Sequence, residues 1–480
     1  MANKRGISVR TPAALAASAC AVLLAGCASV PPPQPARIAK PIGSYATETS
    51  FSAPAAAWPN DRWWESYGDP QLDQLIDQAL VDSPTLAEAK TRVAKALSSR
   101  AAAAAAIQPI VSGSGNIQET KQTYNWLFPK DFLPALGYQP YGEVLLNFSW
   151  ELDFWGKYRA AIAQATSEAR ASAADAAEAR LMLTTQIAST YATLAQLYDD
   201  RDVAAQSVKV REETASLVSQ RVTNGLDTQA ELKQAQAASP ATQETVLALD
   251  EQIALTKDAL AALVGAGPDR GLQIQRPKPP KLATFGLPPD ARLDLIGRRP
   301  DVVAARWRAE AAQKGVKVAK AQFYPDVSLT GYIGQQSLYL SRLLNAGSTL
   351  GSIGPAVTLP ILDGGQRRAN LRGAEADRDD AVAAYDAAVT EALHQVADAA
   401  ASERALSERL TESRRSLAGY EDAWRIARLR YEGGLSTFQS VLLAEDAVLN
   451  QRRIVSDLES RAFELDVQLV RALGGGFRQS

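Results

Sequence analysis

The sequence predicts a mainly α-helical fold with a smaller β component, built from one unit used twice. Three observations predict it. Lys157–Thr223 runs for 67 residues without glycine or proline, and Gln366–Glu432 runs for another 67 broken only by Gly373 and Gly419. The punctuation around these segments recurs at a constant offset of 209. Between the helical segments lie short stretches in which apolar and polar residues alternate.

The first residues read as an address. Lys4, Arg5 and Arg10 precede an apolar run at 13–25 that is too short to span a bilayer and suits a signal peptide. The run ends in Leu24-Ala25-Gly26-Cys27, which has the form of a lipobox; Cys27 is then the lipidated first residue of the mature chain, with Ala28 favouring the outer membrane. Loss of 1–26 removes those three cations and moves the formal charge from −2 to −5. It also removes Cys20, so no intrachain disulfide is available and stability must come from packing and assembly. Residues 27–60 carry Pro31-Pro32-Pro33, Pro35, Pro41, Pro54 and Pro59 and are expected to form an extended tether.

The two repeats follow, at 61–270 and 290–480, joined by a proline-rich linker at 271–289. Behind each long helix comes a second one, 226–264 interrupted by Pro240 and 435–473 without interruption. Pro240 is expected to kink its helix or to mark a splice. Asn224-Gly225-Leu226 matches Gly433-Gly434-Leu435. Upstream the offset becomes 216: Pro84 matches Pro300, and Ile107-Gln108-Pro109 matches Phe323-Tyr324-Pro325. Such agreement is the mark of duplication.

A 67-residue helix is roughly 100 Å long and cannot bury its own apolar face. Leu183, Ile187, Tyr191, Leu194 and Tyr198 form a heptad-like seam, as do Leu406, Leu410, Leu417, Tyr420, Trp424 and Tyr431. Both seams require neighbouring helices. On helices alone, a solid coiled-coil rod remains an equal reading.

The alternating segments change that balance. In 142–153, Val144, Leu146, Phe148, Trp150 and Leu152 share one face, against Glu143, Leu145, Asn147, Ser149, Glu151 and Asp153 on the other. Its partner is expected near 110–119; the second copy places strands at 327–336 and 353–361. These are bilayer-crossing lengths. Four strands cannot close a barrel, and an open edge in lipid leaves backbone groups unpaired. A membrane reading therefore requires a shared barrel, of 8 strands from two chains or 12 from three. Tyr124, Trp126, Phe128, Phe132 and Tyr138 in the first hairpin loop suit an interfacial girdle or cap.

Composition excludes much else. The near-neutral charge gives no nucleic-acid surface. A single histidine, His394, and so few cysteines leave no Cys/His metal set and no triad independent of His394, and no Gly-rich phosphate loop is present. We expect no catalytic residue, no metal and no cofactor, and read His394 as a packed or tunnel-facing residue.

Several stretches carry a family resemblance. They include Trp63-Trp64, Gly68-Asp69-Pro70-Gln71-Leu72-Asp73, Glu151-Leu152-Asp153-Phe154-Trp155-Gly156, Arg299-Pro300-Asp301-Val302, Leu359-Pro360-Ile361-Leu362-Asp363-Gly364-Gly365 and Tyr431-Glu432-Gly433-Gly434-Leu435-Ser436. In this order they resemble the TolC/NodT-type outer-membrane efflux lipoproteins, the outer membrane factor family. The resemblance implies a homotrimer whose 12-stranded barrel continues into a periplasmic α-helical tunnel. It implies a passive exit duct for drugs or other small toxic compounds, joined to a periplasmic adaptor protein and an inner-membrane pump. By the same resemblance, Asn224, Gly225, Leu226, Gly433, Gly434 and Leu435 are the expected hinge and adaptor-docking turns. Acidic residues that constrict the pore in such proteins are replaced here by Ser440 and Leu443. The expected aperture is therefore closed by packing of Tyr431 and Leu443, with weaker cation selectivity. A non-conducting periplasmic lipoprotein scaffold is the alternative. Neither substrate nor pump class is written in the sequence.

Overall fold

The computed structural model describes residues 30–124, 131 and 137–479. Cys27 lies outside them, as do Trp126, Phe128 and Phe132 of the aromatic loop. The elements run α1 (Pro70–Asp82), α2 (Pro84–Ala105), β1 (Ile110–Thr120), β2 (Gln139–Leu152), α3 (Lys157–Thr223), α4 (Gln229–Leu263), α5 (Asp269–Leu272), α6 (Ala291–Arg298), α7 (Pro300–Ala321), β3 (Asp326–Ser337), β4 (Thr349–Thr358), α8 (Gln366–Glu432) and α9 (Phe438–Ala472). The 209 offset holds at both ends of α3 against α8 and of α4 against α9, and the 216 offset at both ends of α2 against α7. Helix α4 continues unbroken through Pro240. Among the described residues no helix is long and apolar enough to cross a membrane.

The chain divides into two compact units. The first holds the sheet with 94–170, 307–383 and the start of the described chain. Its four strands are antiparallel in sequence order, with β1 and β4 at the edges. The register sorts side chains by chemistry. One face carries the rungs Val111–Phe148–Gly331–Ile353 and Gly113–Leu146–Ile333–Gly351. The other carries Ser112–Asn147–Tyr332–Ser352, and Asn147 donates to Ser114 Oγ at 3.0 Å. Strand β4 begins and ends earlier than 353–361. Thr349 and Leu350 extend the ladder opposite Gln335 and Gly334, while Pro360 has no N–H to continue it. Pro355 sits in this edge strand, where a missing donor is tolerated.

Below the strands of this unit, carboxylates start the giant helices. Asp153 accepts from the backbone N–H of Tyr158 and Arg159, and Asp363 from those of Gly365 and Arg367, filling orphan donors of a first turn. Trp155 stacks on Tyr324 at 4.8 Å and donates to Pro325 O at 2.8 Å. The proline-rich segment is extended but not a free tether. Gln34 N–H donates to Glu375 Oε1 at 3.4 Å and Arg37 N–H to Asp379 Oδ1 at 3.0 Å, and Val30 packs beside Phe323 and Leu371.

The second unit comprises 39–93, 171–306 and 384–480. Its main core joins Trp63, Trp64 and Tyr67 to Leu72, Leu75 and Ile76 of α1, to Ile187, Tyr191 and Leu194 of α3, and to Phe463 of α9. Each such side chain contributes about 1.5–3 kcal/mol by burial. Asp69 caps α1 by accepting from Gln71 N–H at 3.0 Å and also receives Tyr191 Oη at 2.6 Å. The Gly-Asp-Pro signature is thus a structural knot. Arg299 is buried and pairs with Asp301 at 2.6 Å while donating to Ala472 O at 3.2 Å. Here too the extended chain is strapped down, with Lys40 N–H on Asp386 Oδ1 at 2.9 Å and Arg404 Nη1 on Ser52 O at 2.8 Å.

Candidate functional site

The site lies where the two helix–helix turns of the second unit meet. Both turns are built alike. Gly225 and Gly434 have φ of 71° and 73°, the left-handed conformation that glycine adopts without a Cβ penalty. Leu226 N–H then reaches back to Arg221 O at 2.9 Å, and Leu435 N–H to Arg430 O at 2.7 Å, closing the long helices in Schellman fashion. Gly433 does not need positive φ, and Asn224 occupies the matching position.

The helices that follow start differently. Thr228 and Glu231 form a reciprocal capping box on α4. The equivalent pair on α9 is Thr437 and Ser440, whose hydroxyls lie 3.3 Å apart and leave the backbone uncapped by either side chain. Ser440 therefore stands where the first repeat keeps its capping glutamate.

A polar clip joins the turns. Tyr431 is fully buried at the end of α8 and packs with Phe438, Val441, Val218 and Ala235. Its hydroxyl donates to Asp227, beyond the first turn. Arg221 pairs with Asp227 at 2.9 Å, donates to Tyr431 O at 2.8 Å, and lies 4.3 Å from the Tyr431 ring centre. Burial, and then the Asp227 hydrogen bond, push the Tyr431 hydroxyl well above its usual range, so it stays a donor.

Within the protomer the two expected aperture residues differ: Tyr431 is 0% exposed, whereas Leu443 is 62% exposed. The reason is helical phase. Phe438, Val441, Glu445 and Val448 form the buried seam of α9, leaving Ser440 and Leu443 on its exposed side. Leu226 and Leu435 at the turns are also exposed. Glu445 points away from Ser440. It is buried, accepts from Thr214 Oγ1 at 2.7 Å and faces Arg211 at 3.6 Å, and burial raises its carboxyl. Asp446 is exposed and takes Arg211 at 2.6 Å. His394 is exposed on α8, 3.3 Å from Asp398.

The Arg221–Asp227–Tyr431 clip went unread in the sequence because its partners are 204 residues apart. One signal points to it: at the 209 offset Tyr431 faces Val222 and Asp227 faces Ser436, so the copies differ where they meet.

Comparisons with known proteins agree with this architecture. The family model described as outer membrane efflux protein matches residues 75–266 and 293–475, the two repeats. The multidrug resistance outer membrane protein MdtP of Escherichia coli K12 is 31% identical over 430 residues, 88% of each chain. The fusaric acid resistance protein FusA of Burkholderia cepacia is 35% identical over 371 residues, 76% of this chain and 69% of its own. The crystal structure of the outer membrane protein VceC of Vibrio cholerae is 41% identical with a TM-score of 0.83, covering 88% of this chain and 100% of that one. The chain belongs to the outer membrane efflux protein family.

Proposed function

We propose that three copies of this chain form the outer-membrane exit duct of a tripartite efflux system for drugs or other small toxic compounds. The observation that carries the reading is the two-faced sheet. Its strands of 10–14 residues have a bilayer-crossing length, an apolar face suited to lipid and a polar face suited to a lumen. Its edges β1 and β4 have no strand partner among the described residues, and in a bilayer they must find one. Three copies joined edge to edge give a closed 12-stranded barrel. The names of MdtP and FusA support drug-like cargo, and Cys27 supplies a lipid anchor in the same membrane.

The helices then form a periplasmic tunnel. The turns at Asn224-Gly225-Leu226 and Gly433-Gly434-Leu435 are its tip, where exposed Leu226 and Leu435 offer a periplasmic adaptor its contact and couple the duct to an inner-membrane pump. Ser440 and Leu443 of the three chains narrow the aperture, and the Arg221–Asp227–Tyr431 clip holds it shut. A periplasmic scaffold rod has no use for a sheet with one apolar face.

Negative-stain electron microscopy of the lipidated protein in detergent tests the reading. A three-fold particle well over ~100 Å long with a stain-filled axis is expected. A monomer, or a solid rod, refutes it.

A further inference from the structure

We propose that the acyl chains carried by Cys27 seat in an apolar groove on the chain's own sheet. The inference rests on the lipoprotein reading above. The groove holds about 590 Å³ on the apolar face. Gly331 and Gly351 leave its floor to backbone, and Phe148, Leu146, Ile333 and Ile353 wall it. Ile333 and Ile353 are largely exposed in the protomer. A trough walled mainly by apolar side chains, with Asn147, Tyr332 and Ser352 completing its lining, suits an unbranched hydrocarbon chain.

The path of the strap says which chain. Arg37, Gln34 and Val30 meet Asp379, Glu375 and Leu371 in turn, so the strap climbs α8 toward its N-terminus as it nears Cys27. Those eight helical residues span about 12 Å. Val30 packs against Phe323, three residues before β3 begins. Cys27 lies three residues further in sequence, a separation of at most about 10 Å from Val30. From Asp326 to Gly331 is about 17 Å along the strand, or roughly 12 Å of height at the usual tilt. An acyl chain spans one leaflet, about half of the roughly 30 Å hydrocarbon core. Length and direction therefore match the groove. The carboxylates of Glu375 and Asp379, by gripping backbone rather than side chain, fix the register at which the lipid is delivered.

The test uses the full lipoprotein in outer membranes. A benzophenone amino acid replaces Ile353, or Ile333 as a second reporter, and after irradiation the peptides are sequenced by mass spectrometry. The control position is Ile117, on the same face but six residues above the Ile353 rung and four above the Ile333 rung, about 20 Å and about 13 Å along the strand. Expected is a cross-link from position 353 or 333 to an acyl chain of the Cys27 peptide, at least tenfold above position 117. Capture of only free phospholipid, or equal capture at 117, overturns the seat and leaves the duct intact. An intact mass without lipid on Cys27 overturns the lipoprotein reading and the seat with it. Trimer and conductance measurements on the same samples report on the duct independently.

Discussion

Removing one oxygen from Tyr431 should open the aperture. Tyr431→Phe keeps the buried ring against Phe438 and Val441, so the apolar packing is nearly unchanged. It deletes the hydrogen bond to Asp227, while Arg221 still satisfies that carboxylate at 2.9 Å. A hydrogen bond to a charged acceptor contributes about 1.5–3 kcal/mol, and the surviving Arg221 contact lowers the expected loss to about 1–2 kcal/mol per protomer. If the three protomers open together, the closed state loses about 3–6 kcal/mol, a shift of two to four decades in the open–closed equilibrium. Conductance of purified trimers in planar bilayers reads this directly, and antibiotic entry into cells reads it indirectly. The thermal midpoint of the trimer should change little, because the main core around Trp64 and Tyr191 is untouched. An unchanged open probability in a fully assembled Tyr431→Phe trimer would refute the clip as a gate constraint. It would leave the Arg221–Asp227–Tyr431 cluster as a structural tie only.

Three further outcomes are expected. Leu443→Ser should let small solutes leak through an assembled trimer, and unchanged antibiotic permeability would count against Leu443 at the aperture. Ser440→Glu should complete the capping box that Thr228 and Glu231 show, stabilising the start of α9 by about 0.5–1 kcal/mol. It should also raise cation selectivity, measured as a shift in reversal potential under a salt gradient. Glu178 is partly buried, and that burial, with Asp301 nearby, raises its carboxyl to about 6. Because the folded value lies above the unfolded one, the protein gains stability as pH falls from about 6 toward 4.5 and lacks that gain at pH 7. Glu178→Gln should therefore stabilise the chain at pH 7 by up to roughly 2 kcal/mol and flatten the pH dependence of unfolding over that window; a steeper dependence refutes the assignment.

The long helices were legible because what defines them is an absence: no glycine or proline between Lys157 and Thr223, and a repeat to check it against. The sheet was legible because period two survives even in strands containing Gly331 and Pro355. Ends were less so. The return strand was placed late because apolar Leu359 and Ile361 continue its alternation, whereas the ladder stops where Pro360 cannot donate. The strap was hidden for a different reason. A proline-rich segment carries no hydrophobic periodicity to betray its docking, and its partners Glu375, Asp379 and Asp386 read as an ordinary solvated helix face. The spacing of Glu445 from Phe438, Val441 and Val448 marks a seam position, which its charge conceals in the sequence.

The two repeats share helix lengths, offsets and turn geometry, yet their turn residues are not interchangeable. The first copy supplies Arg221, Asp227 and the capping Glu231; at the same three positions the second supplies Arg430, Ser436 and Ser440. The second copy in turn supplies Tyr431 where the first has Val222. Donor and acceptor have thus been divided between copies, which makes the clip a contact between turns rather than within one. Duplication explains the scaffold, but the contact between the turns depends on where the duplicates have diverged.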